Sequence, residues 1–430
     1  MIYHLFQYLE SIGVDFPGIG LMHYLSFRAM MAAGTAIAVS LLAGKRIIKW
    51  LQRKQIGETV RDLGLEGQIQ KKGTPTMGGI IILLSILSGV LLFCDLTNIY
   101  IILLIISTLW CGALGFADDY IKVFKHNKEG MSEKGKLLGQ IVLGFIVGLT
   151  VWMSPDIVVR EKVEVKESIE RTLDTETTVT SGRYVQEDVV KSTKTTIPFV
   201  KNHEFDYRWL SPVKGAWGWY AKWAIYVLMI VLVITACSNG TNLTDGLDGL
   251  AAGTSAIVGI VLGIIAWLGG NLIDSNFLNI MYIPGSGEMA IFLSAFVGAL
   301  VGFLWYNSFP AQVFMGDTGS LAIGGIIGVS AVLMRKELLL PLLCGIFLTE
   351  SLSVLMQRFW FKFTRKRTGT GQRIWSMTPL HHHFQDKKAP DGPVIFPKPV
   401  PAQHEAKITV RFWIVGIILA VSTLALLKIR

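Results

Sequence analysis

Ile99-Tyr-Ile-Ile-Leu-Leu-Ile-Ile-Ser-Thr-Leu-Trp-Cys-Gly-Ala-Leu-Gly-Phe116-Ala-Asp-Asp-Tyr-Ile-Lys122 is the stretch whose reading decides the fold. Residues 99–116 carry no charge and are long enough, as a helix, to cross most of a hydrocarbon layer roughly 30 Å thick. Asp118, Asp119 and Lys122 follow at once. Ionisable residues at membrane level are expensive to keep, so a functional reading is the default for them. Neighbouring helical residues point about 100° apart, so the two acids cannot both face lipid, and at least one faces a polar cavity. Two close carboxylates hold Mg²⁺, or one acts as a base while the other remains a ligand. A solvated helix end is the plain alternative for this motif taken alone.

Outward from 99–116, the chain repeats the pattern. Apolar windows fall at 21–44, 77–94, 137–153, 221–237, 250–268, 289–305, 319–334, 338–356 and 408–427, giving ten in all. The sequence is 51% hydrophobic and 17% charged, with a mean hydropathy of +0.50. That composition excludes a water-soluble domain and predicts an all-α polytopic membrane protein of about ten transmembrane helices. Windows 319–334 and 338–356 are parted only by Arg335-Lys336-Glu337, yet one 38-residue helix would overshoot a bilayer, so they read as two.

Basic residues give the orientation. Lys45, Arg46, Lys49, Arg53, Lys54, Arg61, Lys71 and Lys72 follow the first window. Lys122, Lys125, Lys128, Lys134 and Lys136 follow the third, and Arg358, Lys362, Arg365, Lys366, Arg367 and Arg373 the ninth. Loops 95–98 and 269–288 contain neither Lys nor Arg. The basic loops therefore read as cytoplasmic and both termini as lying outside. The net charge of +9 is mostly this asymmetry and an attraction to anionic lipid, not a nucleic-acid footprint.

Residues 1–20 lack a basic leader and contain Glu10 and Asp15, so no cleaved signal peptide is expected. Cys94, Cys111, Cys237 and Cys344 lie in or beside apolar windows without CxxC spacing, and read as small core residues. Segment 154–220 alternates apolar and polar residues, as in Ile157-Val-Val-Arg-Glu-Lys-Val-Glu-Val-Lys166. That periodicity predicts a small β-like insertion on the outer face of one transmembrane domain spanning 1–430. It carries no constellation assignable to chemistry.

The remaining charged motifs all emerge on the basic side. Asn239-Gly-Thr-Asn-Leu-Thr-Asp-Gly-Leu-Asp-Gly249 offers Asp245 and Asp248, which share a face if helical, and Asn239 and Asn242 as neutral donors for a sugar or base. Phe314-Met-Gly-Asp-Thr-Gly-Ser320 opens a window, so Asp317 sits where helix N–H groups favour phosphate. Asn307 shares that loop, and Phe314 is placed to stack on a planar base. His381, His382 and His383 are consecutive, which suits hydrogen bonding to phosphate or sugar better than a tetrahedral metal. Lys71-Lys-Gly-Thr-Pro-Thr-Met-Gly-Gly79 gives a basic, glycine-rich approach to another helix start. Together these describe a Mg²⁺-dependent phosphoryl-transfer site at a bilayer surface, a sensible address when one reactant is a lipid.

Those five motifs, taken in their order along the chain from Lys71-Lys-Gly-Thr-Pro-Thr-Met-Gly-Gly79 to Pro379-Leu-His-His-His-Phe384, resemble the phospho-N-acetylmuramoyl-pentapeptide-transferase family of peptidoglycan synthesis, and the resemblance covers nearly the whole chain except 154–220. It implies attack of undecaprenyl phosphate on the β-phosphate of UDP-N-acetylmuramoyl-pentapeptide, giving lipid I and UMP, in a bacterial inner membrane with periplasmic termini. By this resemblance Asp317 is the Mg²⁺ ligand, while Asp118 and Asp119 manage the lipid phosphate, Asp118 as the deprotonating residue. Asp248, Phe314 and Lys71 hold uridine; Asn242, Asp245 and the three histidines hold sugar or diphosphate. Lys122 and Lys134 steady phosphates, and Lys72, Asn239 and Asn307 complete the substrate-binding set. A sister transferase using UDP-GlcNAc, and a cation-coupled transporter, are the competing readings. The second expects acids near span centres, whereas these acids sit at span ends. Apolar outer helix faces make a homodimer an expectation.

Overall fold

The computed structural model describes residues 1–14, 18–54, 73–125, 127, 129–160, 189–198, 204–278, 280–385, 393–397 and 401–427. Helices dominate: α1 (Ile2–Ser11), α2 (Leu25–Arg53), α3 (Gly79–Phe93), α4 (Ile99–Phe124), α5 (Glu133–Met153), α6 (Ala216–Thr244) and α7 (Leu250–Gly270) fill the first part. After them come α8 (Leu272–Leu278), α9 (Gly287–Asn307), α10 (Gly316–Leu333), α11 (Leu340–Leu343), α12 (Gly345–Thr368), α13 (Leu380–Gln385) and α14 (Glu405–Leu426). Each apolar window falls on a helix. Among the described residues, eight helices are long and apolar enough to cross a membrane, which makes this a multi-pass membrane protein.

Two windows depart from a simple span. Helix α3 has 15 residues, a rise of about 22 Å, short of a bilayer core of about 30 Å. The window 338–356 is broken: the helical segments Glu337–Leu343 and Gly345–Thr368 meet at 80°. Hydropathy sees only the run of apolar residues and is blind to that break at Cys344.

Helix α10 is the hub. It packs against α3, α4, α6 and α7, and 89% of its apolar window is buried, against 22% for α2 and 28% for α14. A helix enclosed on all sides presents a fixed end, so the first residues of α10 are held in place by the whole bundle. Glycine makes the enclosure possible. A Cβ on Gly79 would stand 2.1 Å from the Gly319 nitrogen, so α3 and α10 cross backbone to backbone, the usual way helices pack tightly in lipid.

The insertion supplies short antiparallel strands, β1 (Val159–Arg160) with β2 (Val189–Val190), and β3 (Lys194–Thr196) with β4 (Glu204–Asp206). Between these strands, 161–188 and 199–203 lie outside the described residues. Its described part roofs the turn after α10. The Thr196 N–H and the Thr195 hydroxyl both donate to the Arg335 carbonyl at 3.0 Å, and the Tyr207 hydroxyl donates to Glu337 Oε1 at 3.1 Å. Burial, and then the Glu337 carboxylate, push the Tyr207 phenol well above its ordinary range, so it stays a donor. The Arg335-Lys336-Glu337 triplet thus ends up buried beneath the insertion. All four cysteines are free and buried, as expected.

Candidate active site

The end of α4 and the start of α10 meet through another absent side chain. A Cβ on Gly115 would stand 2.1 Å from the Asp317 carbonyl oxygen. This contact brings Asp118, Asp119 and Asp317 together, with one ligand atom of each within 4.8 Å of the others. Asp118 and Asp119 are buried and Asp317 is partly exposed.

The two adjacent acids do different work, as their roughly 100° separation requires. Asp119 turns to the N-terminus of α10. Its Oδ1 accepts the Asp317 N–H at 3.1 Å, and its Oδ2 accepts the Thr318 N–H at 2.9 Å and hydroxyl at 2.6 Å. Helix α10 has no cap from its own Met315, so Asp119 satisfies from α4 the N–H groups that a helix start leaves bare. Asp118 turns the other way. Its Oδ1 accepts the Met131 N–H at 2.6 Å, while Oδ2 lies 2.6 Å from Lys122 Nζ and 2.9 Å from Lys136 Nζ.

The same two lysines reach Asp317 Oδ2, Lys136 at 2.6 Å and Lys122 at 3.3 Å. Asp317 Oδ1 accepts from Asn242 Nδ2 at 2.9 Å, and that amide also donates to the Ser320 hydroxyl at 2.9 Å. Three carboxylates against two ammonium groups leave one net negative charge. A hard, oxygen-only donor set with a residual negative charge fits Mg²⁺ and not a soft metal. When bound, such a cation supplies charge neutralisation to phosphoryl oxygens.

Lys136, not Lys134, is the second lysine. Two residues apart on α5 they point to opposite sides: Lys134 is exposed, and Lys136 shares a face with buried Gln140, Leu143, Val147 and Val151. That heptad-like spacing was available in the sequence and picks out 136. Lys136→Gln is expected to cut turnover at least about 100-fold, whereas Lys134→Gln should stay within about twofold of wild type. Steady-state assays of the two variants side by side check this; equal losses would remove Lys136 from the site.

Asn239, Asp248, Asn307, Phe314 and His381 bond to the helices and loops around this cluster. Asn239 pairs with Gln140 across α5 and α6, donating to its Oε1 at 2.8 Å. The Asp245–Gly249 segment is a turn between α6 and α7, so Asp245 and Asp248 do not share a helix face. Asp245 is half-buried. Buried Asp248 accepts the Ala311 N–H at 3.0 Å, and its own N–H donates to Glu405 Oε1 at 2.7 Å. Asn307 clamps the same region, accepting from Gly249 N–H at 3.1 Å and donating to the Val313 carbonyl at 2.9 Å. Phe314 is half-buried. Its N–H donates to the Pro75 carbonyl, and its carbonyl accepts from Gly78, each at 2.8 Å.

His381 is fully buried, with Nδ1 3.2 Å from Glu350 Oε2. Gly246 packs so closely on its Nε2 that a Cβ there would stand 2.2 Å away. His382 is half-buried beside Gln385, and His383 is buried. Lys71 and Lys72 lie outside the described residues. Sequence reasoning missed Lys136, Gln140, Glu350 and Glu405. The last two lie within or at the edge of apolar helices, far in sequence from the residues they hold.

Comparison with known proteins gives the family. A sequence model for glycosyl transferase family 4 matches residues 190–335, and phospho-N-acetylmuramoyl-pentapeptide-transferase signature 1 matches residues 71–83. Full-length relatives carry that same transferase name. One from Parabacteroides distasonis is 55% identical over 430 residues, covering all of both chains. Others, from Azobacteroides pseudotrichonymphae and Flavobacterium psychrophilum, are 54% and 53% identical over 432 residues, again with complete coverage of both chains.

Proposed function

The chain belongs to the phospho-N-acetylmuramoyl-pentapeptide-transferase family, and from that membership we propose how its site performs the reaction. The protein is a membrane-embedded phosphoglycosyl transferase of peptidoglycan synthesis, acting on a lipid and a nucleotide-sugar. The donor is UDP-N-acetylmuramoyl-pentapeptide and the acceptor undecaprenyl phosphate. An oxygen of the lipid phosphate forms a bond to the donor's β-phosphorus. The bond from that phosphorus to the bridging oxygen breaks, releasing UMP and leaving lipid I.

The observation that carries this reading is the pair of lysines held between Asp118 and Asp317 at 2.6–3.3 Å. Two ammonium groups suspended between carboxylates are pre-placed to transfer to phosphate oxygens, where charge grows during attack. Asp118 takes the proton from the acceptor phosphate, and Asp119 holds the start of α10 so that Asp317 faces the lysines. Mg²⁺ would be held by Asp317. Asn242 fixes the far oxygen of Asp317. Direct attack is preferred to a phosphoryl-enzyme intermediate because the acceptor phosphate is already a competent nucleophile. The basic loops support a cytoplasm-facing site in a bacterial inner membrane, and the exposed apolar faces of α6, α12 and α14 are open to lipid or to a second copy.

UMP release by the detergent-purified protein tests the reading, with undecaprenyl phosphate, Mg²⁺ and either UDP-N-acetylmuramoyl-pentapeptide or UDP-GlcNAc. The expected outcome is release with the muramoyl donor only, lost on chelation and restored by Mg²⁺. Release with UDP-GlcNAc alone would move the donor assignment to the sister branch.

A further inference from the structure

A cavity of about 330 Å³ lies beside the carboxylate site, between the C-terminal part of α2 and the segment Gly73–Pro75, with Lys45, Lys49, Gln52, Thr74, Tyr306 and Gln312 on its walls. We propose that it is an anion subsite that takes the terminal carboxylate of the donor's peptide arm, a proposal that rests on the transferase reading above. Lys45 and Lys49 stand one helical turn apart on the same face of α2. Among the described residues neither is paired with a carboxylate. Two like charges on one face repel, and an anion between them removes the penalty.

The rest of the lining is suited to a small polar group. Tyr306 spends its hydroxyl on the Leu41 carbonyl at 2.7 Å, so its ring serves as a wall. The amides of Gln52 and Gln312 supply neutral donors, while the Thr74 hydroxyl donates to the Ala311 carbonyl at 3.5 Å. The volume is at the lower end for small-molecule sites, with room for a chain terminus but not for a whole nucleotide-sugar.

Position selects the peptide arm. Gly73–Pro75 is one end of a strap whose other end builds the carboxylate site. The Pro75 carbonyl accepts from Phe314, and the Gly78 and Gly79 N–H groups donate to the Phe314 and Met315 carbonyls, all at 2.8 Å. Between them, Thr76 lies against Gly316 and Asp119: a Cβ on Gly316 would stand 3.1 Å from the Thr76 hydroxyl and 2.7 Å from Asp119 Oδ2. The cavity and the reacting phosphates are thus on two sides of one strap. A five-residue arm reaches up to about 17 Å when extended. A peptide ends in a carboxylate, and two ammonium groups without a carboxylate partner among the described residues form, with neutral donors, a receptor for one. Lipid phosphate at the membrane surface is the other source of an anion.

The test compares wild type with the Lys45→Gln, Lys49→Gln double variant as full-length, detergent-purified protein. Each is offered the muramoyl-pentapeptide donor with a free C-terminus and the same donor as its C-terminal amide. The double variant should raise KM for the free acid about tenfold with kcat unchanged, and leave KM for undecaprenyl phosphate unchanged. The amide should show that raised KM with both proteins. An unchanged KM for the acid, or equal losses for acid and amide, would overturn the proposal. A raised KM for undecaprenyl phosphate would give the cavity to the lipid phosphate instead. If the double variant melts earlier than wild type, the acid-to-amide comparison on wild type alone still decides. A wild type inactive with the muramoyl donor would defeat the transferase reading rather than this one.

Discussion

Replacing Asp317 with Asn is expected to reduce UMP release by about 10³-fold or more while leaving a folded, extractable protein. The side chain is isosteric, the backbone N–H of residue 317 still reaches Asp119, and Asn242 still finds an oxygen at the Oδ1 position. What disappears is the charge on Oδ2, which Lys136 and Lys122 share with Asp118. Both ammonium groups then fall to Asp118 alone, and the site loses its net negative charge together with a cation ligand. Raising Mg²⁺ should recover little of the loss, because the missing element is a ligand and not occupancy. Thermal melting in detergent should fall by no more than a few degrees, since the oxygen and its hydrogen-bond geometry are kept. Wild-type turnover by the variant at saturating Mg²⁺ would remove Asp317 from the metal and phosphate chemistry.

The membrane fold was legible because apolar runs of helical length have few other physical uses, and every window proved helical. The breaks were less so. Arg335-Lys336-Glu337 was readable as a turn, but its burial beneath Thr195, Thr196 and Tyr207 depends on an insertion distant in sequence. The 80° bend in the next window has no hydropathy signal.

At the site, residue types were legible and their partners were not. Asp118, Asp119, Asp317 and Lys122 stood out as charges at span ends, and the structure brings these four together. That Asp119 serves as the cap of α10 follows from which side of α4 abuts that helix, a tertiary fact. Asp248 and Asn307 stood out as polar residues in a motif, and the structure has both bonded to backbone groups of neighbouring loops. A polar residue in a tight loop satisfies backbone first, and sequence alone does not say whether capacity is left over. Lys136 against Lys134 is the opposite case, where helical periodicity held the answer.

Gly115→Ala should be nearly as damaging as loss of an acid, although it removes no polar group. The added methyl carbon would stand 2.1 Å from the Asp317 carbonyl oxygen and 2.6 Å from the Thr318 Cα. These are backbone atoms of a helix enclosed by four others, with no flexible side chain to swing aside. Relief therefore requires α4 and α10 to part by about an ångström at the point where Asp119 caps α10 and Asp118 shares its lysines with Asp317. Parting by that amount stretches the 2.6 Å Asp119–Thr318 bond and the 3.3 Å Lys122–Asp317 contact together. Misplacement of about 1 Å costs on the order of 10²-fold in rate when a site works by positioning, and overpacking a tight crossing costs about 1–3 kcal/mol of stability. The expected variant is folded, melts earlier than wild type and turns over about 100-fold more slowly at saturating substrate. Gly112→Ala is the control, because the atoms it would meet belong to the flexible end of Leu83. If Gly115→Ala retains full kcat while Gly112→Ala behaves the same, the close crossing of α4 and α10 does not set the geometry of the acids.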